Sequence, residues 1–264
     1  MKKFLKLGFA ALLFVFVFTV LSNLGAVKAS ADTLSADLDG DGSDETIVYE
    51  ITETGDYSLE LTSLTINGKD VLSVAKFEDH FQANRINLEV IDTCAKDGLK
   101  ELAVIKGVDS WDIYTLFRFK DGKVSQYCIM DGPDEIVSQK TKGRIKVRTY
   151  VSVRGIGNVR VDEVYKVKKG KAVLYTKTYK PNKLNETKTF KATAEPIIFK
   201  NTKWTAEAGT LRNGDKFTLV KFTRDKEGVF TQVYIKTKSG VKGWINTKDY
   251  DYSTFLVENP PVWD

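Results

Sequence analysis

Short runs of β-branched and aromatic residues, cut at intervals by glycine turns, limit the folds open to this chain more than any other feature. Ile47-Val48-Tyr49, Leu102–Ile105, Tyr114–Phe119, Ile145–Val151, Val159–Val167 and Val173–Tyr179 read as strands. Asn67-Gly68, Asp121-Gly122, Lys142-Gly143, Lys169-Gly170, Asn213-Gly214 and Ser239-Gly240 punctuate them. Asp121-Gly122 predicts a hairpin joining Tyr114–Phe119 to Lys123–Ile129, and Lys169-Gly170 predicts one joining Val161–Val167 to Ala172–Tyr179. Helical spacing appears over Val71–Asn84, where Val71, Val74, Phe77 and Phe81 recur. The expected class is all-β, beginning with an antiparallel meander.

The N-terminus has the three parts of a signal peptide. Lys2, Lys3 and Lys6 are followed by the apolar run Leu7–Leu21 and the small residues Ala29-Ser30-Ala31. Residues 1–31 are therefore expected to direct export, with Asp32 opening the mature chain and no membrane segment left after removal. No cysteine stands at the cleavage point to carry a lipid. The expected location is extracellular or cell-wall-associated.

Removal of that segment exposes a charge division. Residues 32–140 hold 23 acids and 10 bases, whereas residues 141–264 hold 12 acids and 26 bases. Such halves either meet an external anionic partner or neutralise each other, within one chain or between copies. Cys94 and Cys128 are the two cysteines. Export permits a disulfide, but the rough register puts Cys94 and Cys128 at opposite ends of one meander, which weighs against it.

Pro181–Thr189 is polar and lacks periodicity, as linkers do. The expected layout is a β region over 32–180, a linker over 181–191, a second β unit over 192–250 and a tail over 251–264.

Asp37-Leu38-Asp39-Gly40-Asp41-Gly42-Ser43-Asp44-Glu45 is the sharpest local motif. Carboxylates at positions one, three and five of a tight loop converge, Gly42 allows the turn, the Ser43 carbonyl adds an oxygen and Glu45 closes the shell. Hard oxygens in a flexible loop suit one Ca²⁺ ion. Position twelve is Val48 rather than the glutamate of an EF-hand, and the exit Thr46–Tyr49 is a strand. A calcium loop leading into a strand resembles the FG-GAP/VCBS repeats of integrin-like β-propellers. That resemblance, over residues 32–130, implies Asp37, Asp39, Asp41, Ser43 and Glu45 as ligands and a partial propeller-like region. Asp97-Gly98-Leu99-Lys100-Glu101 echoes Asp41–Glu45 after 56 residues, its preceding stretch one residue longer and without the alternating acids. It reads as the same unit without its metal site.

Arg144, Lys146 and Arg148 alternate with Ile145 and Val147, which places the cations on one face of a strand; Lys166 and Lys168 recur in the same way, and Tyr175, Lys177 and Tyr179 share a face of the next. These bases are candidate contacts for an anionic polymer, or the solvent face of a one-sided sheet. No nucleic-acid recognition motif accompanies them. Further on, Gly209-Thr210-Leu211, Asn213-Gly214-Asp215 and Gly243-Trp244-Ile245 after a lysine-rich hairpin resemble a bacterial Src-homology-3-like domain, a small β-barrel, over 190–250. In exported proteins that family binds wall peptide, polysaccharide or protein. Trp244 is expected in its core, with Trp204 and Tyr234 as groove candidates.

The mature chain has one histidine, His80, and no nucleophile elbow, phosphate loop or Cys–His spacing. The expectation is a non-enzymatic, secreted, envelope-associated binding protein whose partner is a wall polymer or envelope protein. The alternative is a released interaction protein that self-associates through its acidic and basic halves.

Overall fold

The computed structural model describes residues 30–55, 58–76, 82–108, 111–132, 134–185, 189–250 and 254–261. Residues 1–29, most of the segment expected to be a signal peptide, lie outside them, as do His80, Phe77 and Phe81. The fold is all-β and mainly antiparallel, with no α-helix among the described residues.

Three meanders follow one another. The first comprises β1 (Ser30–Ala36), β2 (Glu45–Gly55), β3 (Ser58–Ile66) and β4 (Lys69–Asp70), with the short β5 (Gln82–Ala83) added on β3. The second comprises β6 (Arg85–Ile91), β7 (Glu101–Val108), β8 (Trp111–Lys120) and β9 (Lys123–Asp131). The third comprises β10 (Glu135–Val137), β11 (Arg144–Val153), β12 (Gly157–Lys168) and β13 (Lys171–Leu174). The C-terminal part adds β14 (Thr178–Tyr179), β15 (Thr189–Lys191), β16 (Ile197–Phe199), β17 (Glu207–Thr210), β18 (Lys216–Arg224), β19 (Phe230–Thr237) and β20 (Lys242–Asn246). The single pairs Lys171↔Ile129 and Val153↔Phe230 join the last three parts into one fifteen-stranded sheet.

The cores lie in series between these layers. Leu38, Ile47, Leu64, Ile66, Leu102 and Phe117 pack together where the first meander meets one face of the second. Ala103, Ile105, Leu116 and Cys128 use the opposite face of the second meander against Ile145 and Val147 of the third. Because β7 is covered on both sides, its sequence runs apolar instead of alternating. Cys94 and Cys128 are free, buried thiols, and burial pushes the Cys128 thiol up to about 12.

The third core crosses the stretch expected to be a linker. It unites Val151, Val153, Val159 and Val161 of the β11–β12 hairpin with Phe217, Phe222, Val233, Ile235 and Ile245. Phe190, inside that stretch, is buried in it, and β15 pairs with β18. The segment expected to be a tail is packed too: Leu256 and Val257 are buried in the same core, and Ala192 bridges to Val257. Polar neighbours hide the Phe190 anchor from a reading by composition.

Two other expectations need correction. The described part of Val71–Asn84 is not an α-helix: one 3-10 turn, Leu72–Val74, ends at Ala75 in extended conformation, and Gln82–Ala83 is strand. Val71 caps a core rather than lining a helical stripe. Nor do Tyr175 and Tyr179 share one strand face. β13 stops at Leu174, and Tyr179 turns inward on β14 to stack with Phe222.

Candidate functional site

The acidic loop connects β1 to β2, and its echo connects β6 to β7, so each joins the first two strands of a four-stranded meander. Both are closed by the same device. Glu45 Oε2 accepts the Leu38 N–H at 2.8 Å, and Glu101 Oε2 accepts the Thr93 N–H at 3.1 Å. Both glutamates are buried at the start of the second strand. The loops also touch. Lys100 N–H donates to the Leu38 carbonyl at 2.9 Å, and a Cβ on Gly40 would lie 2.2 Å from the Gly98 carbonyl oxygen. Gly40, with φ +77°, is therefore required by both the turn and the approach of the second loop.

In the first loop, carboxylate oxygens of Asp37, Asp39 and Glu45 all lie within 4.8 Å of one another. Backbone donors hold the acids in place: Gly40 and Gly42 N–H groups reach the two Asp37 oxygens at 2.7 and 3.1 Å, and Asp41 N–H reaches Asp39 at 3.3 Å. Each oxygen keeps a second lone pair for another partner. Of the five expected ligands, these three come together. Asp41 stands outside that group, its Oδ1 accepting the Ser43 N–H at 2.7 Å.

In the second loop a cation is built in. Arg118 of β8 donates from Nε to Glu101 at 2.7 Å and from Nη2 to Asp97 at 3.1 Å. Its guanidinium also lies over the Tyr127 ring, 3.7 Å from the centroid. Burial raises the fully enclosed Glu101 carboxyl, and Arg118 pulls it partly back. Tyr127 is likewise pushed up to about 12 by burial. Among the described residues no cation is seated in the first loop as Arg118 is in the second. Ile47 pairs with Ile66 where Ala103 pairs with Leu116, but β3 ends at Ile66 and turns at Asn67-Gly68, whereas β8 runs on to bring Arg118 opposite Glu101.

No protein-family model matches this chain, and no curated protein or solved structure is significantly similar to it.

The basic strands place their charges as the alternation requires. Ile145 and Val147 are buried, while Arg144, Lys146 and Arg148 face outward beside Lys166, Asp162 and Arg160 of β12. The cations do not all stand open, however. Lys146 pairs with Asp162 at 2.6 Å, and Arg148 pairs with Glu135 at 2.8 Å and Asp162 at 3.3 Å. Arg144 and Lys166 instead flank the exposed Tyr175 ring, at 4.4 and 4.2 Å from its centroid. Arg160 lies 5.5 Å from the Tyr150 ring on the same face. Lys168 is exposed at the hairpin end, paired in register with Lys171. Tyr150 and Arg160 were missed in the sequence, although their even spacing from Arg148 and Lys166 already places them on this face.

The other expected contacts, Trp204 and Tyr234, join a row of rings across the C-terminal sheet. Lys221, Tyr234, Trp244 and Phe199 are consecutive cross-strand partners. Trp204 sits edge-on to Phe199 at 5.5 Å, Tyr234 edge-on to Trp244 at 5.2 Å, and Lys221 Nζ lies about 5 Å from both of the latter rings. Trp244 is thus not a core residue. Ile245 and Gly243 face inward, and the close approach of Ile198 and the Phe199 backbone leaves no room for a Cβ at Gly243. Trp204 has φ +58°, a costly state for a bulky residue, and holds its ring at the end of the row.

Proposed function

We propose that this is a secreted, envelope-associated binding protein, non-enzymatic, with one Ca²⁺ loop and a C-terminal module that holds a wall polymer. The row Lys221–Tyr234–Trp244–Phe199–Trp204 carries the reading. Four half-buried rings side by side, with a lysine at one end, offer apolar faces to sugar rings and a charge to their acidic substituents. The Tyr150 and Tyr175 face, flanked by Arg160, Arg144 and Lys166, supplies a second surface of the same chemistry. The FG-GAP/VCBS-like and Src-homology-3-like resemblances and the export signal agree with it.

The Ca²⁺ assignment rests on the paired loops. Where one loop seats Arg118 between its carboxylates, the other keeps three carboxylates together beside a strand that has already turned at Asn67-Gly68. Asp37, Asp39 and Glu45 would hold the ion, whose role is to brace the loop against its neighbour.

Retention on purified cell-wall sacculi tests the function. The protein is expected to bind at low salt, and Trp244→Ala with Tyr234→Ala should weaken retention by about tenfold or more, in line with loss of two aromatic anchors. Equal retention of variant and parent, or none of either, would contradict the reading. Self-association is a second reading, favoured by the opposite charge of residues 32–140 and 141–264. Sedimentation at two ionic strengths separates it: a monomer at both removes it.

A further inference from the structure

A cleft of 710 Å³ opens between the face of β7–β9 and the β12–β13 turn. It continues the side of the second meander that carries the first core, beyond the part that the first meander covers. Its size falls in the range of small-molecule sites, roughly 300–1,000 Å³. Ile113, Ile129 and Ala172 give it an apolar floor, and Lys76, Lys106, Lys169 and Lys171 stand around it with Asp131 as the one acid among its described lining residues. None of these residues belongs to the calcium loop or the aromatic row.

A β-bulge shapes the site. The register slips between Leu116 and Phe117, so that Phe117 pairs with Gln126 and Leu116 with Cys128. Without that extra residue Gln126 and Ile129 would point to opposite faces, because strand side chains alternate. The bulge brings both to the cleft. Gln126 Oε1 accepts the Lys76 N–H at 2.5 Å, which fixes the amide orientation. Its Nε2 then lies toward Gly170, 3.9 Å from where a Cβ on that glycine would stand, and offers N–H donors at the rim.

We infer that this cleft binds a small amphiphilic anion, a molecule with one carboxylate or phosphate group on a short apolar body. The lysines and the Gln126 amide meet the acidic group, and the floor takes the hydrocarbon. A cationic amphiphile is disfavoured by the same lysines, and a bare anion leaves the floor wet.

Isothermal titration of the full chain with octanoate tests this, with octylammonium and inorganic phosphate as matched controls. Octanoate is expected to bind with a sub-millimolar Kd, and both controls at least about tenfold more weakly. Lys76→Ala with Lys169→Ala, two surface changes that leave the core intact, should weaken octanoate by about fivefold. Ala172→Phe should abolish binding by filling the floor, with circular dichroism confirming its fold. Equal binding of octylammonium, equal binding of phosphate, or octanoate binding unchanged in the lysine double variant would overturn the inference. If Ala172→Phe does not fold, the controls and the lysine variant decide the matter. Absence of octanoate binding would also overturn it.

Discussion

Arg118 ties Glu101 to Asp97 inside the second loop, and Glu101 is completely enclosed. Arg118→Ala removes the cation and leaves two carboxylates facing each other, so a loss of about 3–5 kcal/mol is expected in urea unfolding. Asp162 gives a milder case with a clear pH signature. Burial would raise its carboxyl, but the Lys146 hydrogen bond and charge, with Arg148 and Asn182, outweigh that and hold it below the usual range. A depressed carboxyl stabilises the fold above its unfolded value near 3.9, and that stabilisation is lost as pH falls through the folded value. Asp162→Asn should therefore be less stable than the parent by about 1 kcal/mol or less at pH 6, because the pairs are partly solvated. The gap should close below about pH 4; a gap that persists there would contradict the assignment. The acids of the first loop were legible in the sequence because their spacing is local. Arg118 was not, since its partner lies 17 residues away and only register brings the two together.

At the level of elements, alternation and glycine turns were enough to find most strands. Asp121-Gly122 and Lys169-Gly170 form the turns expected of them, with Asp121, Gly122, Lys169 and Gly170 all at positive φ. The failures arose where tertiary packing overrides a local pattern. Val71, Val74, Phe77 and Phe81 have helical spacing, yet the described part of that stretch is a 3-10 turn followed by extended chain. Trp244 was expected in the core of the Src-homology-3-like unit, but Gly243 and Ile245 take the inward positions of β20. In the C-terminal segment two adjacent residues, Leu256 and Val257, are buried. Leu256 is fully buried against the third core, so Leu256→Ala should cost about 2–5 kcal/mol by calorimetry. A change below 0.5 kcal/mol would mean that residues 254–261 are a tail after all.

For the whole molecule, the acidic and basic halves are layers of one stack, not separate bodies on a string. The β11–β12 hairpin belongs to both: Ile145 and Val147 pack toward the second meander, and Val151 to Val161 pack into the C-terminal core. Composition could not reveal this, because one pair of strands serves two cores along its length. The same continuity places the two loops side by side at one end, where Gly40 meets Gly98. On the proposed calcium site, the first loop would take from solution the cation that Arg118 supplies to the second. Thermal unfolding with and without 10 mM Ca²⁺ tests it most directly, on the parent and on Asp39→Ala. With the affinity of extracellular sites, ~10⁻⁴–10⁻³ M, the parent should gain about 1.5–3 kcal/mol and Asp39→Ala little or none. An unchanged parent, or an equal gain in the variant, would contradict the account.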